Sequence, residues 1–144
     1  MHPQFLRAIE FARNSGYECT LATNGRRFSQ EKFTKKVASL GLSQIRSTLL
    51  GHTPDIHNLL SVGGIRSYDQ TIKGFKNILC HNIPLQVNIV IMEPNYRFLP
   101  EMTDLLITIG VQDIKYSSII GVEKYPHLAK KSPFFFPLNL SHEF

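Results

Sequence analysis

Cysteine is scarce in these 144 residues, with Cys19 and Cys80 as the whole complement. They fall on different elements and neither belongs to a C-x-x-C pair, so no metal knuckle can be built from them. Both are expected to be buried small hydrophobes in a reducing compartment. Long apolar runs are missing as well: no stretch approaches the roughly 18 to 20 residues that a membrane span needs. The first residues, Met1-His2-Pro3-Gln4, lack the basic and then apolar profile of a signal peptide. A cytoplasmic protein with no membrane partner is the expectation. No Gly-x-Ser-x-Gly elbow, Walker loop or dinucleotide fingerprint occurs, which removes the best-marked hydrolase, nucleotide and dehydrogenase sites.

What is present suits a single folded domain. Hydrophobic residues make up 42% of the chain, enough for a core. The formal charge of +5 admits an anionic partner. The basic residues are spread over Arg7, Arg13, Arg26, Arg27, Lys32, Lys35, Lys36, Lys73 and Lys76. Few aromatics are interleaved and no continuous basic stripe forms, so nucleic-acid binding is possible but not favoured.

The periodicity alternates between strand and helix. Pro3 suits a first helical position, and Phe5, Leu6, Ile9 and Ala12 share a face over residues 3–14 before Gly16. Residues 17–23 read as a strand ending in Thr23-Asn24-Gly25. Ser29 is the expected N-cap of a second helix, with Phe28 and Phe33 spaced as a hydrophobic staple and Gly41 as the stop. Residues 42–50 form a strand, and Thr53-Pro54 opens a short helix or turn. Ser67 and Gln70 have capping-box spacing at the head of a helix whose face is Tyr68, Ile72, Phe75 and Leu79, closed by Asn82. Residues 84–92 are a nearly continuous Leu, Val and Ile strand, as expected where both faces are covered. A last helix ends at Gly110, and residues 111–120 are a fourth strand.

Strand, helix, strand connections require parallel strands and right-handed crossovers. Either part of a (β/α) barrel or a doubly wound sheet satisfies that pattern. The domain is expected over residues 1–120, with 121–144 an irregular tail containing Phe134-Phe135-Phe136. Such a run would be an association liability if exposed.

Parallel strands share one C-terminal rim, where ligands gather in α/β proteins. The stretch 45–57, from Ile45 to His57, contributes Thr48, Gly51, His52 and His57 to it. Thr23, Asn24, Asn88, Glu93, Asn95, Ser117 and Ser118 complete the set. Asn88 is an amide in an apolar strand and must find hydrogen-bond partners, from a ligand or from neighbouring backbone. His52 and His57 are five apart, poor helical spacing for two metal ligands, and no third ligand stands nearby. A histidine bonding the backbone or a substrate is the better account, and no metal site is assigned. Asp55, Asp69 and Asp104 read as helix caps or solvated residues.

At these residues the chain resembles the radical S-adenosylmethionine (radical SAM) superfamily. The resemblance is carried, in order, by the strand ending Leu-Ala-Thr-Asn-Gly and the segment Ile-Arg-Ser-Thr-Leu-Leu-Gly-His-Thr-Pro-Asp-Ile-His-Asn. The helix Tyr-Asp-Gln-Thr-Ile-Lys-Gly-Phe-Lys-Asn-Ile-Leu follows, then Val-Asn-Ile-Val-Ile with Asn95. It implies a partial (β/α) TIM-like barrel of about four parallel strands, lacking the first βα unit and the second strand. It further implies S-adenosylmethionine and a [4Fe-4S] cluster at the C-terminal rim, where cleavage of the sulfonium yields a deoxyadenosyl radical. By the same resemblance Thr48 and Asn88 face the cofactor, Ile119 lies beside adenine, Thr23 and Asn24 face cofactor or substrate, and His52 and His57 lie on the substrate-side loop.

The C-x3-C-x2-C that holds the family's cluster is absent from the sequence, as is its Gly-Gly-Glu-Pro, and Cys19 and Cys80 cannot replace three clustered thiolates. The expectation is a partial radical SAM domain, inactive as this chain alone. Its substrate is unknown, and a preceding segment or a partner chain would complete it. A sheet edge and part of an apolar face are expected to be exposed. The alternative is a non-catalytic α/β module that binds S-adenosylmethionine or nucleic acid.

Overall fold

The computed structural model describes residues 4–61 and 63–118. Ile119 and the expected tail at 121–144 lie outside them. Helix α1 (Phe5–Asn14) leads into strand β1 (Thr20–Ala22), then a 3-10 turn (Arg26–Ser29), α2 (Glu31–Ala38) and β2 (Gln44–Leu49). Two helices follow, α3 (Pro54–Leu60) and α4 (Ser67–Cys80). The chain continues through β3 (Leu85–Ile91), a second 3-10 turn (Tyr96–Phe98), α5 (Leu99–Ile109) and β4 (Asp113–Ser118).

The four strands form one sheet in the order β1-β2-β3-β4, and every pair is parallel. A doubly wound sheet reverses its strand order at a switch point, whereas a barrel adds each strand beside the last. The observed order is of the barrel kind. Ile45 and Leu49 of β2, Val87 and Ile89 of β3, Phe28, Phe75, Ile78, Met102 and Leu106 are fully buried between sheet and helices. At roughly 25 cal/mol per Å² of apolar surface, this layer is the main source of stability.

The caps differ from expectation in instructive ways. Ser29 does not cap α2: it ends the 3-10 turn, and Gln30 takes the capping position without a side-chain bond. The staple partners Phe28 and Phe33 do meet, edge to face, with ring centroids 5.1 Å apart. Ser67 and Gln70 are not a capping box, because Ser67 turns to Ser61 and Gln70 accepts from Arg26 Nε at 2.9 Å. The face α4 buries is Ser67, Thr71, Gly74, Phe75 and Ile78, rotated from the one expected. Asn82 does end α4 in a left-handed conformation, with φ 55°. Cys80 is exposed and Cys19 half-buried, both free, so neither is the fully buried hydrophobe expected.

The other side of the sheet is polar, with Arg46 and Lys115 exposed, Thr48 and Asn88 half-buried and Gln86 buried. Thr20, Gln44, Arg46, Thr48, Gln86, Asn88, Asp113, Lys115 and Ser117 share it by the alternation of side chains and the strand register. The exposed apolar face expected from an incomplete barrel is therefore not what the sheet presents. Among the described residues no helix is long and apolar enough to cross a membrane.

Candidate functional site

The rim is built from three strand-end loops, each fixed by a different device. Past β1, the Thr23 N–H donates to the Arg46 carbonyl at 2.9 Å and extends the parallel ladder by one residue. Thr23 Oγ1 then accepts from the Gly25 N–H at 3.3 Å, and Asn24 Oδ1 from the Arg26 N–H at 3.2 Å. Both side chains shape this turn. Gly25 has φ 76°, and a Cβ there would lie 2.9 Å from the Phe75 ring. A Cβ on Gly74 would lie 2.2 Å from the Gly25 carbonyl oxygen, so α4 rests on the turn backbone to backbone.

Past β2, Gly51 lets the chain fold back on itself: a Cβ would fall 2.6 Å from the His57 nitrogen. Thr53 caps α3, accepting from the Ile56 N–H at 3.5 Å, with Pro54 in the first turn as the sequence indicates. His57 is on α3, not in the loop, and is only 3% exposed. Its Nδ1 accepts from the Leu50 N–H at 3.4 Å, and its Nε2 stands 3.5 Å from Ser67 Oγ. Burial first, and the Arg26 cation second, lower its pKa from 6.5 to about 4. His57 is thus a buried, neutral histidine of α3 that bonds the backbone. His52 packs its ring on Phe98 at 4.9 Å, and its carbonyl accepts from the Tyr68 hydroxyl at 2.8 Å. Its buried Nδ1 has no partner among the described residues.

Past β3, Asn95 is fully buried. Its Oδ1 accepts from the Met92 N–H at 2.8 Å, and its Nδ2 donates to the Leu50 and Val90 carbonyls, each at 2.9 Å. One amide thus ties the end of β2 to the end of β3. Sequence reading placed Asn95 on the rim and at a helix entry, but its role as a clip needed the fold. The signal available was its position four residues past an apolar strand.

Thr48 and Asn88 are brought together: they are register partners on the open face, Thr48 next to the end of β2 and Asn88 at the middle of β3. Asn88 Nδ2 donates to Ser117 Oγ at 2.8 Å, a side-chain partner instead of backbone. The Asn88 carbonyl oxygen and the Thr48 hydroxyl are unengaged among the described residues. Thr23 and Asn24 stand at the neighbouring strand end with their oxygens committed to the turn. His52 is in the β2 loop, His57 is behind it, and Ile119 lies outside the described residues.

Among the described residues no three of His, Cys, Asp and Glu gather where they could hold a metal ion. Cys19 precedes β1 and Cys80 ends α4, so a [4Fe-4S] cluster does not fit this chain's own side chains. The unengaged hydroxyl and carbonyl of Thr48 and Asn88 do suit a polar organic cofactor with donors and acceptors of its own.

No family model matches the chain. Over 126 residues it is 23% identical to the "tungsten-containing aldehyde ferredoxin oxidoreductase cofactor-modifying protein" of Pyrococcus furiosus, an alignment covering 83% of this chain and 35% of that protein. Its fold is similar to a solved structure titled "native anSMEcpe with bound AdoMet and Kp18Cys peptide". There the TM-score is 0.65 at 15% identity, over 79% of this chain and 33% of the other. The chain spans about a third of the length of each. The four parallel strands added in sequence order and these two likenesses support a radical SAM superfamily relationship.

Proposed function

We propose that this chain is part of a radical SAM domain that binds S-adenosylmethionine on the open face of its sheet. The observation that carries the reading is the Thr48 and Asn88 pair, in register on the polar face of the sheet. Thr48 offers its hydroxyl and Asn88 its carbonyl oxygen. Thr23 and Asn24 hold the adjacent turn, His52 stands on the loop beside it, and Ile119, outside the described residues, is assigned beside adenine by the resemblance alone. When bound, S-adenosylmethionine supplies radical chemistry to such domains. The residues of this chain bind and orient it, and the helices on the far side keep that wall rigid.

The cluster ligands would come from outside these 144 residues, through a further segment or a partner chain, so the chain alone is inactive. Two free cysteines support a reducing, cytoplasmic setting. The test is anaerobic reconstitution with iron, sulfide, reductant and S-adenosylmethionine. Binding of S-adenosylmethionine without a stable cluster and without deoxyadenosine is expected. A stable cluster with deoxyadenosine formation would overturn the inactivity, and absence of S-adenosylmethionine binding would overturn the reading itself.

A further inference from the structure

The open face of the sheet is graded in charge. Register sets Arg46, Gln86 and Asp113 in one row across it, and Thr48, Asn88 and Lys115 in the next row toward the C-terminal rim. Asp113 is the acidic side chain of this face among the described residues, and it is occupied: its Oδ2 accepts from Gln86 Nε2 at 2.6 Å and from Gln44 Nε2 at 3.2 Å. Arg46 sets its Nε on Gln44 Oε1 at 2.9 Å, which directs the side chain along the face. Its terminal amino groups have no partner among the described residues, and neither has the Lys115 ammonium. Both residues are exposed.

Two interstrand spacings of about 4.8 Å and two residues of about 3.3 Å put the Arg46 and Lys115 Cα atoms roughly 12 Å apart on the diagonal. Asn88 lies between them, on the strand they flank. Two cations against one carboxylate leave one net positive charge on a face otherwise made of amides, hydroxyls, Ala22 and Val90. One positive charge matches a monoanion. A nucleic-acid strand would need a continuous basic groove and stacking rings, and this face carries no aromatic side chain among the described residues. The planar guanidinium fork suits two carboxylate oxygens at once.

We propose that Arg46 and Lys115 bind a carboxylate of the substrate between them, beside Asn88. The proposal rests on the reading of this face as a cofactor and substrate wall. It adds that the substrate is a monocarboxylate, anchored by Arg46 two residues before Thr48 on β2 and by Lys115 in the Thr48 and Asn88 row itself.

The test is a titration of the 15N-labelled chain with N-acetylglycine and, in parallel, with the uncharged N-acetylglycinamide. Saturable shifts of the Asn88 and Ser117 amides with the acid and none with the amide are expected. Arg46→Gln and Lys115→Gln should each weaken that binding about tenfold, with an unchanged thermal midpoint because both side chains are exposed. Equal shifts with both compounds, wild-type affinity in the double variant, or stronger shifts of the same amides by an oligonucleotide would overturn the assignment. Calorimetry with S-adenosylmethionine on the same sample separates the two claims. Heat from S-adenosylmethionine without shifts from N-acetylglycine refutes the carboxylate site alone. Shifts without that heat support the carboxylate site and refute the cofactor reading.

Discussion

Acid should loosen this protein through one histidine behind the rim. The His57 imidazole is buried, accepts from the Leu50 N–H and is repelled by Arg26, and its pKa falls from 6.5 to about 4. In the unfolded chain the same ring protonates near its ordinary value. Between pH 6.5 and about 4 the unfolded state therefore holds a proton that the folded state does not. The stability this histidine contributes is fully present above pH 6.5 and is lost as the pH falls through that window. The gap corresponds to roughly 3 kcal/mol at its limit, a large part of the 5 to 15 kcal/mol typical of a domain. Urea denaturation at a series of pH values reads the wild-type slope. His57→Gln removes the titrating group, so the difference between the two slopes isolates it from His81, which pairs with Glu31 at 2.6 Å. The variant should lose some stability at pH 7 and most of the dependence below it. A His57 ring that titrates near 6.5 by NMR in the folded chain, or an unchanged slope in the variant, would refute this reasoning.

Two further substitutions probe how the loops are fixed. Gly74→Ala sets a methyl 2.2 Å from the Gly25 carbonyl oxygen, backbone against backbone. It should cost about 1–3 kcal/mol or more in urea unfolding, and a neutral effect would show that α4 does not rest on the turn as described. Asn95→Ala leaves the Met92 N–H and the Leu50 and Val90 carbonyls without their partner in a buried site. A loss of about 2–4 kcal/mol is expected, together with faster amide exchange at Met92, and unchanged exchange there would contradict the clip.

How much of this was legible in the sequence depends on the range of the interaction. Strand and helix periodicity, the stops at Asn82 and Gly110, the start of α3 at Thr53 and Pro54, and the Phe28 and Phe33 contact are local. The chain reveals them because the partners lie within a turn or two. Thr48 and Asn88 fall on one rim once the strands are taken as parallel, but their pairing in register needed the fold. Ser67 misled because a cap signal is also local, whereas its actual partners, Ser61 and His57, are set by how α3 packs on α4. For His57 the sequence leaves a backbone or a substrate partner open, and its spacing from His52 gives no hint that α3 turns its ring inward to the Leu50 N–H. The polar open face escaped notice because Gln44, Arg46, Gln86, Asp113 and Lys115 lie on three strands and become one surface only in register. The apolar run of β3 concealed Gln86 as the companion of Asn88 on that strand's second face.

The central claim is that the Thr48 and Asn88 row holds S-adenosylmethionine. Isothermal calorimetry of the wild-type chain, of Thr48→Ala and of Asn88→Ala, each shown by circular dichroism to be folded, tests it most directly. Saturable binding by the wild type that weakens about tenfold in each variant is the predicted result. No binding by the folded wild-type chain, or equal binding by all three proteins, would contradict it.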